Sequence, residues 1–213
     1  MVTKEKLSFE IELPFREGGK IICGIDEAGR GPLAGPVSAA AVILPDDFDN
    51  TIGINDSKKL TSLKRDELFE IIKHSAKAYS IIMSSVEEIE EINILQATIS
   101  AMKRAVESLN IKPDMLLVDG NYFPKWKINH ICIKGGDAKS LSIAAASVLA
   151  KVERDKYMVE IAHELYPQYN FAKHKGYGTK EHFEAIKKYG LSPIHRQSYL
   201  KKYFAEEKQI KLI

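Results

Sequence analysis

A turn-rich segment near the N-terminus separates two short apolar runs and limits how this part of the chain can fold. The segment, residues 28–36, reads Ala-Gly-Arg-Gly-Pro-Leu-Ala-Gly-Pro, and its glycines and prolines interrupt regular structure. The flanking runs, residues 20–25 and 37–44, are short, apolar and rich in β-branched side chains. Runs of this kind are typical of strands. We therefore predict two strands joined by a tight loop.

The rest of the chain alternates apolar runs with helical patterns. We predict further strands at residues 79–83, 115–119 and 128–133, and helices at residues 62–77, 87–109 and 141–158. In the second of these helices, apolar residues recur at steps of three and four: Ile89, Ile92, Leu95, Ile99, Met102, Val106 and Leu109. This alternation predicts an α/β domain with one mixed sheet and helices on its faces.

The C-terminal part has a different pattern. From about Pro167 the sequence predicts two short helices, at residues 179–189 and 197–208, around a loop rich in Lys, His, Gly and Tyr. We therefore divide the chain into a catalytic α/β domain, residues 1–166, and a small helical C-terminal appendage, residues 167–213, that completes the substrate site.

Composition excludes several classes of protein. Of the 213 residues, 45% are hydrophobic and 28% are charged, as in ordinary globular proteins. No stretch approaches the ~20 apolar residues of a membrane helix, and the N-terminus lacks the apolar core of a secretory signal. We therefore expect a cytoplasmic protein without membrane association, and a monomer by default. Cys23 and Cys132 have no zinc-ligand partners at suitable spacing, so we expect free thiols in apolar surroundings.

Four acidic residues lie where predicted strands end or a helix begins. Asp26 and Glu27 follow the first strand, Asp119 ends the fourth, and Asp137 precedes the alanine-rich helix. Functional groups in open α/β sheets often gather at strand ends, and carboxylates suit Mg²⁺ or Mn²⁺. Asp26 and Glu27 alone could equally form a solvated turn, and both reach one site only if the strand breaks its alternation. Together, the four acids predict a metal site that offsets the negative charge of a phosphodiester.

The motifs around these acids resemble those of the ribonuclease HII family. Gly24-Ile-Asp-Glu-Ala-Gly-Arg-Gly-Pro-Leu-Ala-Gly-Pro36 is similar to the family's opening signature. The later motifs follow in the family's order: Asp56-Ser-Lys-Lys-Leu60, Asn93-Ile-Leu-Gln-Ala-Thr98, Val118-Asp-Gly120, Gly136-Asp-Ala-Lys139, Ala144-Ala-Ala-Ser-Val-Leu-Ala-Lys151, His174-Lys-Gly-Tyr-Gly-Thr179 and His195-Arg196. The resemblance spans about residues 21–199, and none of these motifs departs from the family pattern.

This resemblance implies a fold, an activity and a substrate. The fold would be the ribonuclease H-like mixed sheet flanked by helices. The activity would be endonucleolytic hydrolysis of the RNA strand of RNA/DNA hybrids, with cuts also made 5′ of ribonucleotides embedded in duplex DNA. The products would carry 5′-phosphate and 3′-hydroxyl ends. Two divalent ions, Mg²⁺ or Mn²⁺, would be needed in the substrate complex.

The resemblance also implies roles for individual residues. The catalytic residues, which are also the metal ligands, would be Asp26, Glu27, Asp119 and Asp137. The substrate-binding residues would be Gly29, Arg30, Gly31, Lys58, Lys139 and Tyr177. Among these, the glycine turn and the tyrosine would read the 2′-hydroxyl, the group that distinguishes RNA from DNA at one nucleotide.

The remaining polar residues of the motifs have less defined roles. Phosphate contacts are expected from basic side chains near the loops, including Lys59, Lys173 and Lys175 beside those already named. His195 is compatible with three roles: a proton carrier, a phosphate contact or a structural side chain.

Two other functions would use some of the same features. A dinucleotide-binding domain would need Gly-x-Gly-x-x-Gly after the first strand, but Gly29, Gly31 and Gly35 are spaced Gly-x-Gly-x-x-x-Gly. A non-catalytic hybrid-binding module would need the basic loops but not the acids, because uncompensated carboxylates weaken binding to a polyanion. Cleavage of a labelled hybrid with and without Mg²⁺ separates that module from an enzyme.

The last five residues suggest a protein partner. Gln209-Ile-Lys-Leu-Ile213 partly resembles the Gln-Leu-x-Leu-Phe type of peptide that docks on bacterial sliding clamps, with Ile210 and Ile213 in place of Leu and Phe. Docking on a clamp would raise the local concentration of the enzyme on DNA. The alternative is that Leu212 and Ile213 fold back on the C-terminal helix.

Overall fold

The computed structural model describes residues 7–201 and Phe204. Its strands form one sheet and are β1 (Ile22–Ala28), β2 (Val37–Ile43), β3 (Ala78–Ser84), β4 (Met115–Asp119) and β5 (Asn129–Ile133). Their order across the sheet is β3-β2-β1-β4-β5. β1 pairs with β2 and β2 with β3 in antiparallel fashion, whereas β4 runs parallel to β1 and β5 runs parallel to β4. The predicted mixed sheet is confirmed. Because β1 and β2 are antiparallel neighbours, the first strands do not form a dinucleotide-binding unit.

The helices in the described part of the chain are α1 (Leu13–Arg16), α2 (Ser62–Ser75), α3 (Val86–Glu107), α4 (Leu141–Lys156), α5 (His163–Leu165), α6 (Phe171–His174) and α7 (Lys180–Tyr189). The longer ones begin at hydroxyl caps, in which a Ser or Thr oxygen accepts a backbone N–H of the first turn: Thr61, Ser85, Ser140 and Thr179. A π-helical turn, Tyr157–Ala162, joins α4 to α5. Residues 197–201 are also helical.

The sheet is covered on both faces. The alanine-rich helix α4 packs on β2 together with α2, and its residues 141–150 are all buried. Helix α3 packs on the other face, against apolar side chains of β1, β2 and β4. Small side chains on α4 allow this close approach to the sheet, as the sequence predicts.

Helix α3 departs from the prediction at its kink. Asn93 has left-handed backbone angles (φ 66°, ψ 162°), and its Oδ1 accepts the N–H groups of Leu95 and Gln96 at 3.0 and 3.2 Å. The kink shifts the phase of the helix, so Leu95 is 38% exposed. Leu95 is thus exposed although it fits the apolar spacing of the helix, whereas Ile89, on the other side of the kink, is buried.

The C-terminal part packs around its own apolar cluster. The buried members of this cluster are Ala34, Met158, Ala162, Tyr169, Phe171, Ile186 and Leu200. The predicted helix at residues 179–189 is confirmed as α7, and the following one is confirmed as far as residue 201. The boundary at residue 166 stays a prediction, and Gln209-Ile-Lys-Leu-Ile213 lies outside the described residues. Within residues 7–201, no helix is both long and apolar enough to cross a bilayer.

Candidate active site

The first two acids lie inside β1 rather than beyond its end. Antiparallel pairing continues through Asp26↔Ala40 and Glu27↔Ala39. The expectation that the strand ends at residue 25 is therefore wrong, because β2 begins directly after a short loop and extends the ladder. The ladder with β2 stays regular through both residues, so the strand shows no break in the alternation of its side chains. Asp26 is 4% exposed, and Glu27 lines the adjacent cleft.

The third and fourth acids reach the same end of the sheet from β4 and the turn after β5. Ile25 of β1 pairs with Val118 of β4, so the residues that follow, Asp26 and Asp119, are next along neighbouring strands. The Gly136 N–H donates to Asp119 Oδ1 at 2.7 Å, which brings Asp137 to this edge. A Cβ at position 136 would lie 2.5 Å from Ile143 Cδ1, so glycine lets this buried side chain pack against the turn.

Burial and mutual repulsion make three of these carboxylates, Asp26, Glu27 and Asp137, reluctant to ionise. Burial raises the pKa of Asp26 well above its usual range, and the charges of Glu27 and Asp119 raise it further. Burial also raises the pKa of Glu27, although Arg30, 3.2 Å away, acts in the opposite direction. The pKa of Asp137 is raised by burial and by neighbouring carboxylates. A cluster of this kind favours a cation, which would relieve the repulsion.

A short turn, Ser57–Lys59, places one cation beside the acids. Lys58 Nζ lies 3.8 Å from Asp137 Oδ2. Burial acts to lower the pKa of Lys58, but Asp137 and the other carboxylates raise it overall. Arg65 holds the turn by donating to the carbonyls of Ser57 and Leu60 at 2.9 and 2.6 Å.

Asp56 is an acid of this region that sequence reasoning missed. Its Oδ1 accepts the Lys58 N–H at 2.9 Å, and its charge raises the pKa of Asp137. Asp56 stands in the motif at residues 56–60, in which only the two lysines were predicted to contact phosphate. Among residues 7–201 and Phe204, no three His, Cys, Asp or Glu side chains are already arranged to hold one metal ion.

Beside the acids lies a cleft of about 450 Å³. It brings together most of the residues predicted to bind substrate: Gly29, Arg30, Gly31, Lys58 and Tyr177. Lys139 does not line it, and its ammonium donates to the Lys134 carbonyl at 2.7 Å. The cleft also has five lining residues that were not predicted to belong to the site: Ala28, Ser57, Ile94, Ser147 and Lys151. All five stand in motifs quoted above, so motif membership was the signal that could have found them.

The glycine turn is fixed from inside the protein by Arg154. Gly29 has φ +99°, and a Cβ there would lie 2.0 Å from Arg154 Nε, so only glycine fits. The guanidinium donates to the carbonyls of Pro36, Ala34 and Lys175 at 2.9, 3.1 and 3.1 Å. Burial lowers the pKa of Arg154 to about 10, which leaves it charged at neutral pH.

A second buried arginine, Arg196, holds the same turn. It donates to the carbonyls of Gly29 at 2.6 Å, Arg30 at 3.0 Å and Gly35 at 2.7 and 3.0 Å. Tyr199 also donates its hydroxyl to the Arg30 carbonyl, at 2.7 Å. The turn therefore has fixed backbone geometry while its outer side lines the cleft.

Comparison with known proteins identifies the family. The sequence model of the Ribonuclease HII family matches residues 23–202. The chain belongs to the ribonuclease HII family. Ribonucleases HII are metal-dependent endoribonucleases that act on RNA/DNA hybrids. The expectation of an enzyme is thereby confirmed over that of a non-catalytic binding module.

Individual relatives agree over nearly the whole chain. The ribonuclease HII of Caldanaerobacter subterraneus subsp. tengcongensis is 55% identical over 198 residues, which cover 93% of this chain and 81% of that protein. That of Caldicellulosiruptor bescii is 54% identical over 202 residues, or 94% of this chain and 97% of the relative.

Solved structures share the ribonuclease H-like fold. The ribonuclease H2 of Pyrococcus horikoshii is 28% identical with a TM-score of 0.74, and the match covers 88% of this chain and 97% of that one. The ribonuclease HII in a complex with PCNA from Archaeoglobus fulgidus is 26% identical with a TM-score of 0.67, covering 83% and 93%. The predicted fold class is confirmed.

Proposed function

We propose that this protein cleaves the RNA strand of RNA/DNA hybrids and also cuts duplex DNA 5′ of a single embedded ribonucleotide, leaving 5′-phosphate and 3′-hydroxyl ends. One observation carries the second part. A cluster of carboxylates with raised pKa values borders a cleft that is lined by a rigid glycine turn and by Tyr177. Charge for phosphodiester chemistry and a surface for ribose recognition are thus adjacent.

The proposed catalytic residues and metal ligands are Asp26, Glu27, Asp119 and Asp137. Carboxylate oxygens suit Mg²⁺ and Mn²⁺, and the repulsion that raises the pKa of Asp26 is of the kind that a bound cation removes. Two such ions would supply an activated water and stabilise the leaving oxygen. Lys58, which pairs with Asp137, would be free to contact a phosphate once cations bind the acids.

Recognition of the ribonucleotide is assigned to Gly29, Arg30, Gly31 and Tyr177. A glycine turn allows the backbone to approach a sugar closely, and its amides and carbonyls can bond to a 2′-hydroxyl. Tyr177 is 43% exposed at the cleft, where its ring can stack on a sugar while its hydroxyl forms a hydrogen bond. Lys139 is proposed as a peripheral phosphate contact.

The test uses three labelled duplexes that differ at one nucleotide: one ribonucleotide, one 2′-O-methyl ribonucleotide, or DNA throughout. We expect a single cut 5′ of the ribonucleotide in Mg²⁺ or Mn²⁺, none in EDTA, and none on the other two duplexes. A continuous RNA/DNA hybrid serves as the positive control. If the hybrid is cut but the single-ribonucleotide duplex is not, the proposal fails while the family activity stands.

We also propose that Gln209-Ile-Lys-Leu-Ile213 binds a sliding clamp. Its support is the partial peptide match, together with the Archaeoglobus fulgidus relative, which forms a complex with the clamp PCNA. A chain ending at Lys208 should lose clamp binding in a pull-down while cleavage without clamp is unchanged. Equal clamp binding by both chains would overturn the idea. A monomeric state and a cytoplasmic location complete the proposal.

A further inference from the structure

The two elements assigned to ribose recognition come from distant parts of the sequence. The glycine turn follows β1, whereas Tyr177 lies just before α7. Reading one 2′-hydroxyl between them requires a fixed separation, since a misplacement of about 1 Å can cost about 100-fold in rate. The dipeptide His195-Arg196 contacts the loop of the glycine turn directly and is connected to Tyr177 through His182.

On one side, this dipeptide is attached to the loop that contains the glycine turn. His195 forms an isolated β-bridge with Ala34, and the Arg196 N–H donates to the Leu33 carbonyl at 2.8 Å. The Arg196 guanidinium then donates to three carbonyls of the loop, including that of Gly29 at 2.6 Å. Both backbone and side chain therefore fix the turn.

On the other side, the His195 ring is linked to Tyr177 through a second histidine. His195 Nε2 lies 3.0 Å from His182 Nε2, and His182 Nδ1 lies 2.9 Å from the Tyr177 carbonyl oxygen. Behind His195, the Ser192 N–H donates to Nδ1 at 2.9 Å. These contacts form one continuous chain of hydrogen bonds from Ser192 to Tyr177.

The backbone groups at its two ends fix the direction of every bond. Because the Ser192 N–H must donate, His195 Nδ1 accepts and the ring proton sits on Nε2. Because the Tyr177 carbonyl must accept, His182 Nδ1 carries the proton and its Nε2 accepts. His195 Nε2–H therefore donates to His182, and each ring is neutral in one defined tautomer.

The surroundings preserve this neutral arrangement. His182 is fully buried and His195 is 2% exposed. Burial lowers the pKa of each ring to about 4, and interactions among the neighbouring histidines contribute to the lowering. Tyr169 and Phe171 pack against the His195 ring, with centroids 4.7 and 5.6 Å away. A proton carrier would need access to the cleft and a free ring nitrogen, and His195 has neither.

We propose that His195 and Arg196 are positioning residues that fix the distance between the glycine turn and Tyr177. His182 connects His195 to the Tyr177 carbonyl through hydrogen bonds. This inference rests on the proposed function, in which Tyr177 reads the ribose. Neither residue touches substrate. Each acts through the element that it holds.

The experiment compares His182→Leu with His182→Asn, alone and combined with Tyr177→Ala. Leucine fills similar space without hydrogen bonding, whereas the asparagine amide can still donate to the Tyr177 carbonyl from the position of Nδ1 but has no second ring nitrogen to accept from His195. For each variant, kcat/KM is measured on a single-ribonucleotide duplex and on a continuous hybrid. Melting temperatures establish that every variant is folded.

Losing one buried hydrogen bond that positions a reading group should lower kcat/KM on the single-ribonucleotide duplex about tenfold in His182→Leu, with a loss under about threefold on the hybrid. His182→Asn should show a similar loss, because its amide can still bond to the Tyr177 carbonyl but is no longer connected to His195. In the Tyr177→Ala background, His182→Leu should cost less than about twofold more, since the element that it positions is gone.

Additive losses in the double variant would overturn the inference, as would wild-type selectivity in a folded His182→Leu. Wild-type selectivity in His182→Asn would also contradict it, because the Tyr177 carbonyl would then be positioned without His195. Cleavage by the wild-type enzyme distinguishes failure of the proposed function from failure of the positioning proposal. If it does not cut the single-ribonucleotide duplex, the proposed function fails first.

Discussion

The two ends of the cleft differ in how the protein stabilises them. The acidic end contains Asp26, Glu27, Asp119 and Asp137, and the reading end contains the glycine turn at residues 29–31 and Tyr177. At the acidic end, like charges crowd together, and burial and repulsion raise the pKa values of Asp26 and Glu27. At the reading end, Arg196 and the two linked histidines satisfy the polar groups of the turns with directed hydrogen bonds. In the proposed function, the ribose-reading surface is therefore preformed, whereas the acids need bound cations.

This difference has a physical basis in what each end must recognise. A 2′-hydroxyl is a neutral group of fixed geometry, so a preformed surface reads it at little cost of ordering. A phosphodiester is an anion, and carboxylates can approach it only after divalent ions reverse the local charge. Because a bound cation relieves the repulsion among crowded carboxylates, such a cluster binds cations more strongly than well-separated carboxylates do.

The largest expected effect comes from removing a ligand at the acidic end. Asp26→Asn or Asp119→Asn should lower kcat in Mg²⁺ by at least about 1000-fold, because the metal site loses a charged oxygen, as in other metal-assisted hydrolysis. Hybrid affinity should stay the same or tighten, since one negative charge near a polyanion is gone. Single-turnover cleavage and equilibrium binding measure the two quantities.

The matched control is Asp47→Asn, which removes one negative charge at an exposed position away from the cleft. This variant should cleave at the wild-type rate. Near-normal turnover of either active-site variant would show that the acids are not the metal ligands.

A smaller and selective effect is expected at the reading end. Tyr177→Ala should lower cleavage of a single-ribonucleotide duplex by about tenfold more than cleavage of a continuous hybrid, since only one 2′-hydroxyl is then available to position the cut. Tyr177→Phe keeps the ring and should fall between wild type and alanine. Equal losses on both substrates would indicate general damage instead of ribose reading.

The smallest effect concerns stability without metal. The folded-state pKa of Asp26 lies above its unfolded value of about 4. The folded protein therefore loses stability as pH rises from about 4 through that raised pKa, because the buried carboxyl must ionise. Asp26→Asn removes this loss, so at pH 8 in EDTA it should melt roughly 2–6 °C above wild type, with the difference shrinking toward pH 4.

Mg²⁺ should raise the melting temperature of the wild-type protein at pH 8 and raise that of Asp26→Asn much less. A variant that melts below wild type at pH 8 in EDTA would mean that the carboxylate is already stabilised without cations. The acidic end would then need no cations to be stable and would not differ from the reading end in this respect.

Sequence patterns predicted most of the fold and the acids of the site. Strand β4 was predicted with its observed bounds, and the alanine-rich helix was predicted to be buried, because side-chain periodicity and small residues report local structure directly. The end of β1 was missed, since pairing with β2 extends the strand through polar residues that have little strand propensity of their own.

The supports of the reading end could not be predicted from periodicity. Within residues 7–201, no carboxylate forms a salt bridge with the buried Arg154 or Arg196, and only the folded loop reveals the carbonyls that surround them. His182 carried no local signal, since its partners are the Tyr177 carbonyl and His195, which is 13 residues away. Asp56 was not predicted, because only the tertiary fold brings it close to Asp137.

The most direct test is the anomalous diffraction of crystals grown in Mn²⁺ and compared with crystals grown in EDTA. We predict manganese peaks bounded by the carboxylates of Asp26, Glu27, Asp119 and Asp137, with those side chains moving to meet the ions. The Gly29 turn and the Tyr177 backbone should superpose between the two crystals. Absence of manganese at the acids, or a rearranged reading end with the ions bound, would contradict the account.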